Sequence, residues 1–416
     1  MSVLFWEVLG LSRRVLQLSL GADPLNPLDG GDLGGQQIVV REATLNLQKQ
    51  GFGVDVITMS QHAMLPHRSS LGLLGQVIRM HSNPRSVSDE DWVEAQDRIA
   101  EDVIRWIRDN HREYQVVHSH FWVSGLIAKR IASEVKAPWI HSPYKMVEWV
   151  RRPQDTYSTV RQNHEPSLLK EADAIIVPYL KEADMVHQWA PDVPVYVVAP
   201  GLDVNNFFTR DPGPVLKGLG LTRRPLAYVG HLESGRGIRE VLQYMRGVEL
   251  PNDLVLLLIG GNRGEVHQGK PQDPELAQLA NDLAPHLRFL GPMPHRAVAM
   301  YMATAQVVIA PNLGPTLGMA VIEALGSGTP VVGSNVPGVE DWIQHGTNGF
   351  LAPVGDVATL WNHALNLWAE SQRAHQMGVA GYNIIHRNHR SENMAIQLGQ
   401  IYDEVAQGHP PNASAG

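Results

Sequence analysis

Val15-Leu16-Gln17-Leu18-Ser19-Leu20 is followed by a loop carrying Gly30, Gly31, Gly34 and Gly35, then by Val39, Ala43 and Leu47, then by Gly51 and Val54-Asp55-Val56-Ile57-Thr58. The two apolar runs read as buried strands. Between them, the recurrence of apolar residues every four positions predicts a helix from Gln36, with Gly51 as its C-terminal stop. A strand, a helix and a second strand in this order make a parallel unit.

The pattern continues in both directions along the chain. Ser88 with Asp91 predicts a capped helix start, and Trp92, Ala95, Ile99, Val103 and Trp106 fall on one face of that helix. Val116-Val117-His118 reads as a strand end, and further strands are expected at 138–141, 174–177 and 195–198. Residues 207–224 turn polar and are punctuated by Asp211-Pro212-Gly213-Pro214, which reads as a linker. A second series of apolar runs follows at 226–229, 254–259, 287–290, 307–310 and 330–333, after which 341–405 reads as mostly helical. The expected class is α/β with two Rossmann-like domains. The first covers 1–207, a linker 208–224 and the second 225–385; a segment 386–416 returns a helix to the first domain and ends in a frayed tail.

A chain of 416 residues with 44% hydrophobic and 18% charged residues has the apolar surface for two or three globular domains and too little charge for disorder. Its 34 Lys+Arg against 42 Asp+Glu leave a formal charge of -8, which argues against a nucleic-acid partner. The chain has no cysteine, so disulfides, a thiolate nucleophile and a thiolate metal site are excluded, leaving His, Arg, Lys and carboxylates for chemistry. No secretion signal is expected at 1–11, where Glu7 interrupts the apolar residues, and no run reaches the ~18 apolar residues of a membrane span. The expected location is cytoplasmic.

Ligands of doubly wound sheets bind outside the carboxyl ends of the strands, which directs attention to three Gly-rich loops. The first contains Gly30 to Gly35. The second, Gly230-His231-Leu232-Glu233-Ser234-Gly235-Arg236-Gly237, places an arginine where a helix dipole disfavours it unless an anion answers both charges. The third runs from Pro311 through Pro315, Thr316, Leu317 and Gly318 to Met319, and Glu323 lies about one and a half turns into the helix that follows. Two other features are set aside. Gly264 to Lys270 has phosphate-loop spacing, but Pro271 stands where a magnesium-binding hydroxyl would be needed, and Asp89-Glu90-Asp91 suits a helix start better than a metal. His118-Ser119-His120 and His141-Ser142-Pro143-Tyr144-Lys145 sit at two strand ends of one sheet.

Taken in order, Gly31-Asp32-Leu33-Gly34-Gly35, His118-Ser119-His120-Phe121-Trp122-Val123-Ser124-Gly125, His141-Ser142, Pro200-Gly201-Leu202-Asp203, Gly230 to Gly237 and Gly318 to Pro330 resemble family-4 retaining glycosyltransferases of the GT-B fold. Within the family the likeness runs toward the mycothiol-pathway N-acetylglucosaminyltransferases acting on inositol phosphate and, further off, sucrose-phosphate synthases. It implies two facing Rossmann-like domains with a cleft between them. A nucleotide-diphosphate sugar of UDP or GDP type would be held mainly by the second domain and a small acceptor by the first, with no metal or further cofactor and with retention by front-face attack. A homodimer is an open expectation.

On this resemblance His141, Arg236 and His231 take catalytic positions. Gly34, Gly35, Gly230, Pro315, Thr316, Leu317, Gly318, Met319 and Glu323 line the donor, with Glu323 on the ribose. Tyr114, His120, Ser142, Lys145 and Arg161 meet the acceptor, and Glu165 matches the partner of Arg161. Two departures stand out. The family has a Glu, seven residues, then the Glu matched by Glu323, and the first falls on Pro315; His231 replaces an arginine. An unusual donor sugar and a role in specialised metabolism, such as antibiotic or thiol biosynthesis, are therefore expected. A sugar-nucleotide isomerase and a silent sugar-nucleotide-binding protein remain as alternatives.

Overall fold

A computed structural model describes residues 13–26, 34–60, 64–82, 84, 88–144, 146, 159–233, 235–261, 266–267 and 270–408. The described residues fall into two compact units, those of Met1–Leu25, Gln36–Gly201 and Ser391–Gly416, and those of Asn26–Gly35 and Leu202–Arg390.

The first unit is built on eight strands: β1 (Arg14–Leu18), β2 (Gly53–Met59), β3 (Arg68–Ser70), β4 (Gly75–Met80), β5 (Val116–His120), β6 (Trp139–Ser142), β7 (Ala174–Val177) and β8 (Val195–Val197). They run in the order β3-β4-β2-β1-β5-β6-β7-β8. Only β3 is antiparallel to its neighbour. The order therefore reverses between β1 and β5, which places the loops after these two strands at a topological switch point. Ser88 caps the helix Asp89–Asp109, its hydroxyl accepting from Asp91 N at 3.2 Å, and Trp92, Ala95, Ile99, Val103 and Trp106 are all buried. The last helix, Ser391–Ala406, packs into this unit through the buried Tyr402, whose ring meets Phe52 edge-on at 6.2 Å.

Strands β3 and β4 were not legible as apolar runs, and a buried ion pair explains why. Arg79 on β4 is 2% exposed and donates through Nε to Asp23 Oδ2 at 2.6 Å. Its Nη1 reaches Ser69 Oγ on β3 and the carbonyl of Pro66. Asp23 lies in the loop after β1, where it also accepts from Leu25 N at 2.8 Å. A charge that would mark an exposed strand is here the anchor of a loop at the switch point.

The second unit carries β9 (Leu226–Gly230), β10 (Leu256–Gly260), β11 (Leu287–Gly291), β12 (Val307–Ala310), β13 (Val331–Ser334) and β14 (Gly349–Ala352), ordered β11-β10-β9-β12-β13-β14. All neighbours are parallel. Its switch point lies between β9 and β12. The stretch read as a linker, 208–224, contains the helix Gly213–Leu219, and the segment 341–405 is mostly helical as read, with β14 as a short strand before its helices. Gly349 makes that strand fit, since a Cβ there would lie 2.0 Å from Val331 O.

Arg79→Ala is expected to cost about 3–5 kcal/mol in urea unfolding, because it leaves the Asp23 carboxylate buried without its cation. Asp23→Ala added to it should cost less than the sum of the two single changes.

Candidate functional site

At the second unit's switch point the loops leaving β9 and β12 lie side by side. Leu313 N donates to Gly235 O at 3.1 Å. Gly237, at φ 76°, approaches the second loop so closely that a Cβ would stand 1.7 Å from Pro311 O. Gly318, at φ 72°, closes the second loop, and a Cβ there would stand 1.9 Å from Gly338 O. Each of these glycines is the N-cap of a helix, Ile238–Arg246 and Met319–Gly326, and neither helix has a side-chain cap. Their leading N-H groups and positive dipole ends suit an anion.

The sequence-predicted donor residues gather around these loops. Gly230 O accepts from Gly261 N at 2.8 Å, and the Tyr228 hydroxyl donates to the carbonyl of His231, fixing the backbone there. Thr316 N donates to Pro337 O at 3.0 Å, between Pro315 and Leu317, and Met319 is buried at the helix start. Gly35 groups with this unit, and a Cβ on it would lie 3.0 Å from Leu317 Cδ2, whereas one on Gly34 would meet no atom of the described residues within 4 Å. Glu323 is 4% exposed, and its Oε1 lies 2.6 Å from His295 Nε2, a partner that sequence reasoning missed.

One expectation changes here. The charge of Arg236 does not wait for an external anion, because Glu233 answers it: Arg236 donates to Glu233 Oε1 from Nε at 2.9 Å, and Nη2 lies 2.8 Å away. Both side chains are partly exposed, so such a pair is worth about 0–1 kcal/mol, and a polyphosphate can compete for the guanidinium.

In the first unit the strand register divides the predicted acceptor residues. Ser119 pairs with His141 and His120 with Ser142, so consecutive residues of β5 and β6 point to opposite faces of the sheet. On one face Trp139 Nε1 donates to Ser119 Oγ at 2.7 Å, and Ser119 Oγ is hydrogen-bonded to His141 Nδ1 at 2.8 Å. Gly125 lets the next helix lie on this imidazole, since a Cβ there would be 3.1 Å from His141 Cε1. On the other face His118 bridges Tyr402 Oη at 2.7 Å and Ser142 Oγ at 2.9 Å, while His120 Nδ1 meets Tyr144 Oη at 2.8 Å. His141 is thus separated by the sheet from His120 and Ser142. Phe121 and Tyr144, at the ends of β5 and β6, adopt φ 69° and φ 60°, a strained backbone of the kind that gathers at functional sites.

Burial holds all three imidazoles neutral. It pushes His118 well below its ordinary value, with His120 and His141 adding repulsion; it lowers His120 to about 3, again with His141 opposing its charge. His141 is brought to about 3 by burial, against a bond to the Ser119 backbone. Arg161 bonds Glu165 from Nε at 2.7 Å and lies 4.9 Å from the Phe121 ring. Glu182, on the helix after β7, is fully buried, neither carboxylate oxygen has a hydrogen-bond partner among the described residues, and burial raises its pKa strongly, with the Glu165 charge adding to the shift. Tyr114 does not join this group. It precedes β5, at the amino-terminal ends of the strands, and donates its hydroxyl to the buried Asp55 at 2.8 Å. Lys145, Gly30 and Gly31 lie outside the described residues. Among the described residues no group of three or more His, Asp or Glu could hold a metal, and no helix is long and apolar enough to cross a membrane.

Two family models match the chain: "Glycosyltransferase Family 4" over residues 33–206 and "Glycosyl transferases group 1" over 223–370. A D-inositol 3-phosphate glycosyltransferase of Corynebacterium urealyticum is 26% identical over 412 residues, covering 94% of this chain and 95% of the relative. One from Kribbella flavida is 28% identical over 361 residues, covering 82% and 84%. Among solved structures, sucrose-phosphate synthase from Thermosynechococcus elongatus superimposes with a TM-score of 0.84 at 22% identity, over 95% of this chain and 100% of that one. Anabaena HepE in complex with UDP-glucose gives 0.71 at 15% identity, over 95% and 99%. These structural likenesses establish the fold, GT-B.

A histidine held neutral in the native state takes up its proton only on unfolding, so stability is lost as pH falls through the unfolded value near 6.5. His120→Asn should therefore shrink the drop in unfolding free energy between about pH 7 and pH 5.5 by about 1.3 kcal/mol, measured by urea titration at both.

Proposed function

Because the chain belongs to the family-4 glycosyltransferases of the GT-B fold, and so is an enzyme of glycosyl transfer, we propose that it moves an atypical sugar from a nucleoside-diphosphate donor to a small polar acceptor. The observation that carries the donor half is the joining of two loops at the β9–β12 switch point, each ending in a glycine-capped helix with Arg236 beside them. The hard step in glycosyl transfer is departure of the diphosphate from an anomeric carbon that becomes cation-like. The helix N-terminus at Gly318 and the Arg236 guanidinium, exchanging Glu233 for phosphate, would stabilise that departing charge, each strong donor being worth about 3 kcal/mol. His231, where the family has arginine, adds a cation only when protonated.

In a retaining front-face reaction the acceptor oxygen bonds to the anomeric carbon as the carbon–phosphate oxygen bond breaks. Its proton passes to the released diphosphate oxygen on the same face, so no protein nucleophile is required. Glu323 would accept from the ribose hydroxyls. Pro315 offers no hydrogen bond where the family carboxylate would read donor hydroxyls, which favours a sugar modified at those positions.

On the acceptor side, His120 and His141 are neutral, Ser142 is a hydroxyl, and Arg161 is paired with Glu165. These groups lie on two faces of the sheet and bring hydrogen bonds rather than net charge, in keeping with a hydroxylated acceptor of specialised metabolism. A second reading, transfer to inositol phosphate, draws on near full-length similarity to D-inositol 3-phosphate glycosyltransferases.

Incubation with UDP- and GDP-sugars and with acceptors including inositol and D-inositol 3-phosphate, followed by product mass, tests both readings. A product mass identifies donor and acceptor. Epimerised donor would point to an isomerase instead, and donor uptake without turnover to a silent binding protein. Arg236→Ala should lower kcat about a hundredfold without loss of folding; unchanged turnover would remove the leaving-group role.

A further inference from the structure

We propose that His295 is a positioning residue that fixes Glu323 as the reader of the donor's ribose diol; this rests on the Glu323 reading above. Three observations carry it. First, His295 Nε2 is 2.6 Å from Glu323 Oε1, and the hydrogen on Nε2 is the only one that can make this bond, so the imidazole donates and the carboxylate accepts whatever the ring's net charge. Second, the ring is itself held. His295 is the first residue of the helix His295–Thr304, and its imidazole meets the buried Phe207 ring at 4.8 Å and 62°, in an edge-to-face arrangement. Third, Glu323 is 4% exposed, and His295 supplies the only side-chain hydrogen bond to its carboxylate among the described residues.

These facts give the carboxylate a defined division of labour. One oxygen is held by the imidazole, which fixes the rotamer and helps stabilise a buried negative charge. The other keeps its lone pairs for a ligand that donates hydrogens. A vicinal diol, with two adjacent O-H donors, matches such an acceptor, whereas a deoxygenated ring brings no hydrogen for it and leaves a buried acceptor unsatisfied. His295 would then govern how strongly the donor site prefers a ribonucleotide, although it touches no part of the ligand.

The test uses the full chain and calorimetric affinities for UDP or GDP, whichever binds, and for the 2′,3′-dideoxy form of the same nucleotide. The wild type should prefer the ribonucleotide by at least about tenfold. His295→Phe keeps the ring against Phe207 but removes the donor, and should weaken the ribonucleotide about tenfold while leaving the dideoxy form within about twofold. His295→Gln retains an N-H donor and should keep most of the preference. Equal weakening of both nucleotides by His295→Phe, or no weakening of either, overturns the positioning role. A wild type that does not distinguish the two nucleotides overturns the Glu323 reading itself, and the role of His295 with it.

Discussion

A Cβ on Gly237 would sit 1.7 Å from the carbonyl oxygen of Pro311, and the close approach of the two loops at the second unit's switch point depends on that space staying empty. The two loops touch there, at the point where the strand order of the second sheet reverses, and each leads into a helix capped by a glycine. Gly318 repeats the device against Gly338. Both glycines also sit at positive φ, where a side chain would be strained even if there were room for it. The resulting pair of helix starts offers peptide dipoles whose orientation is set before any ligand arrives, and preorganisation of this kind is the main source of electrostatic stabilisation in enzymes.

The charge in the first of those loops is answered within the loop itself. Glu233 holds Arg236 through hydrogen bonds in a setting exposed enough that the pair contributes little to stability. The contrast with Arg79 and Asp23 is instructive. That pair is closed off from water and anchors the loop after β1. Similar groups thus form a part-exposed pair in one unit and a buried anchor in the other, and solvent access separates the two.

The ends of β5 and β6 in the first unit are built on a different principle. Burial removes charge from His118, His120 and His141, and hydroxyl groups of Ser119, Ser142, Tyr144 and Tyr402 fix their rings. Tyr402 comes from the last helix, so the end of the chain supports the residues at the end of β5. Neutral imidazoles orient hydrogen bonds without attracting anions.

Local pattern alone carried much of this. The apolar runs of 174–177 and 307–310 appear as β7 and β12 with the same bounds, Ser88 caps its helix, and the glycine loops stand at strand ends, because periodicity, capping and backbone freedom are properties of neighbouring residues. What sequence could not disclose is every relation between residues distant in the chain. Arg79 looked like an interruption until Asp23 met it, and Arg236 looked unanswered until the loop folded Glu233 against it. The register of β5 on β6 put His141 on one face and Ser142 on the other, although they are adjacent in the chain. His295 is an unremarkable helix start by sequence, and only the packing of two helices brings it to Glu323. Short-range pattern specifies which elements form and where loops can bind. Which side chains share a site depends on strand order and register, which are decided by burying apolar surface across the whole chain and which no stretch of residues contains by itself.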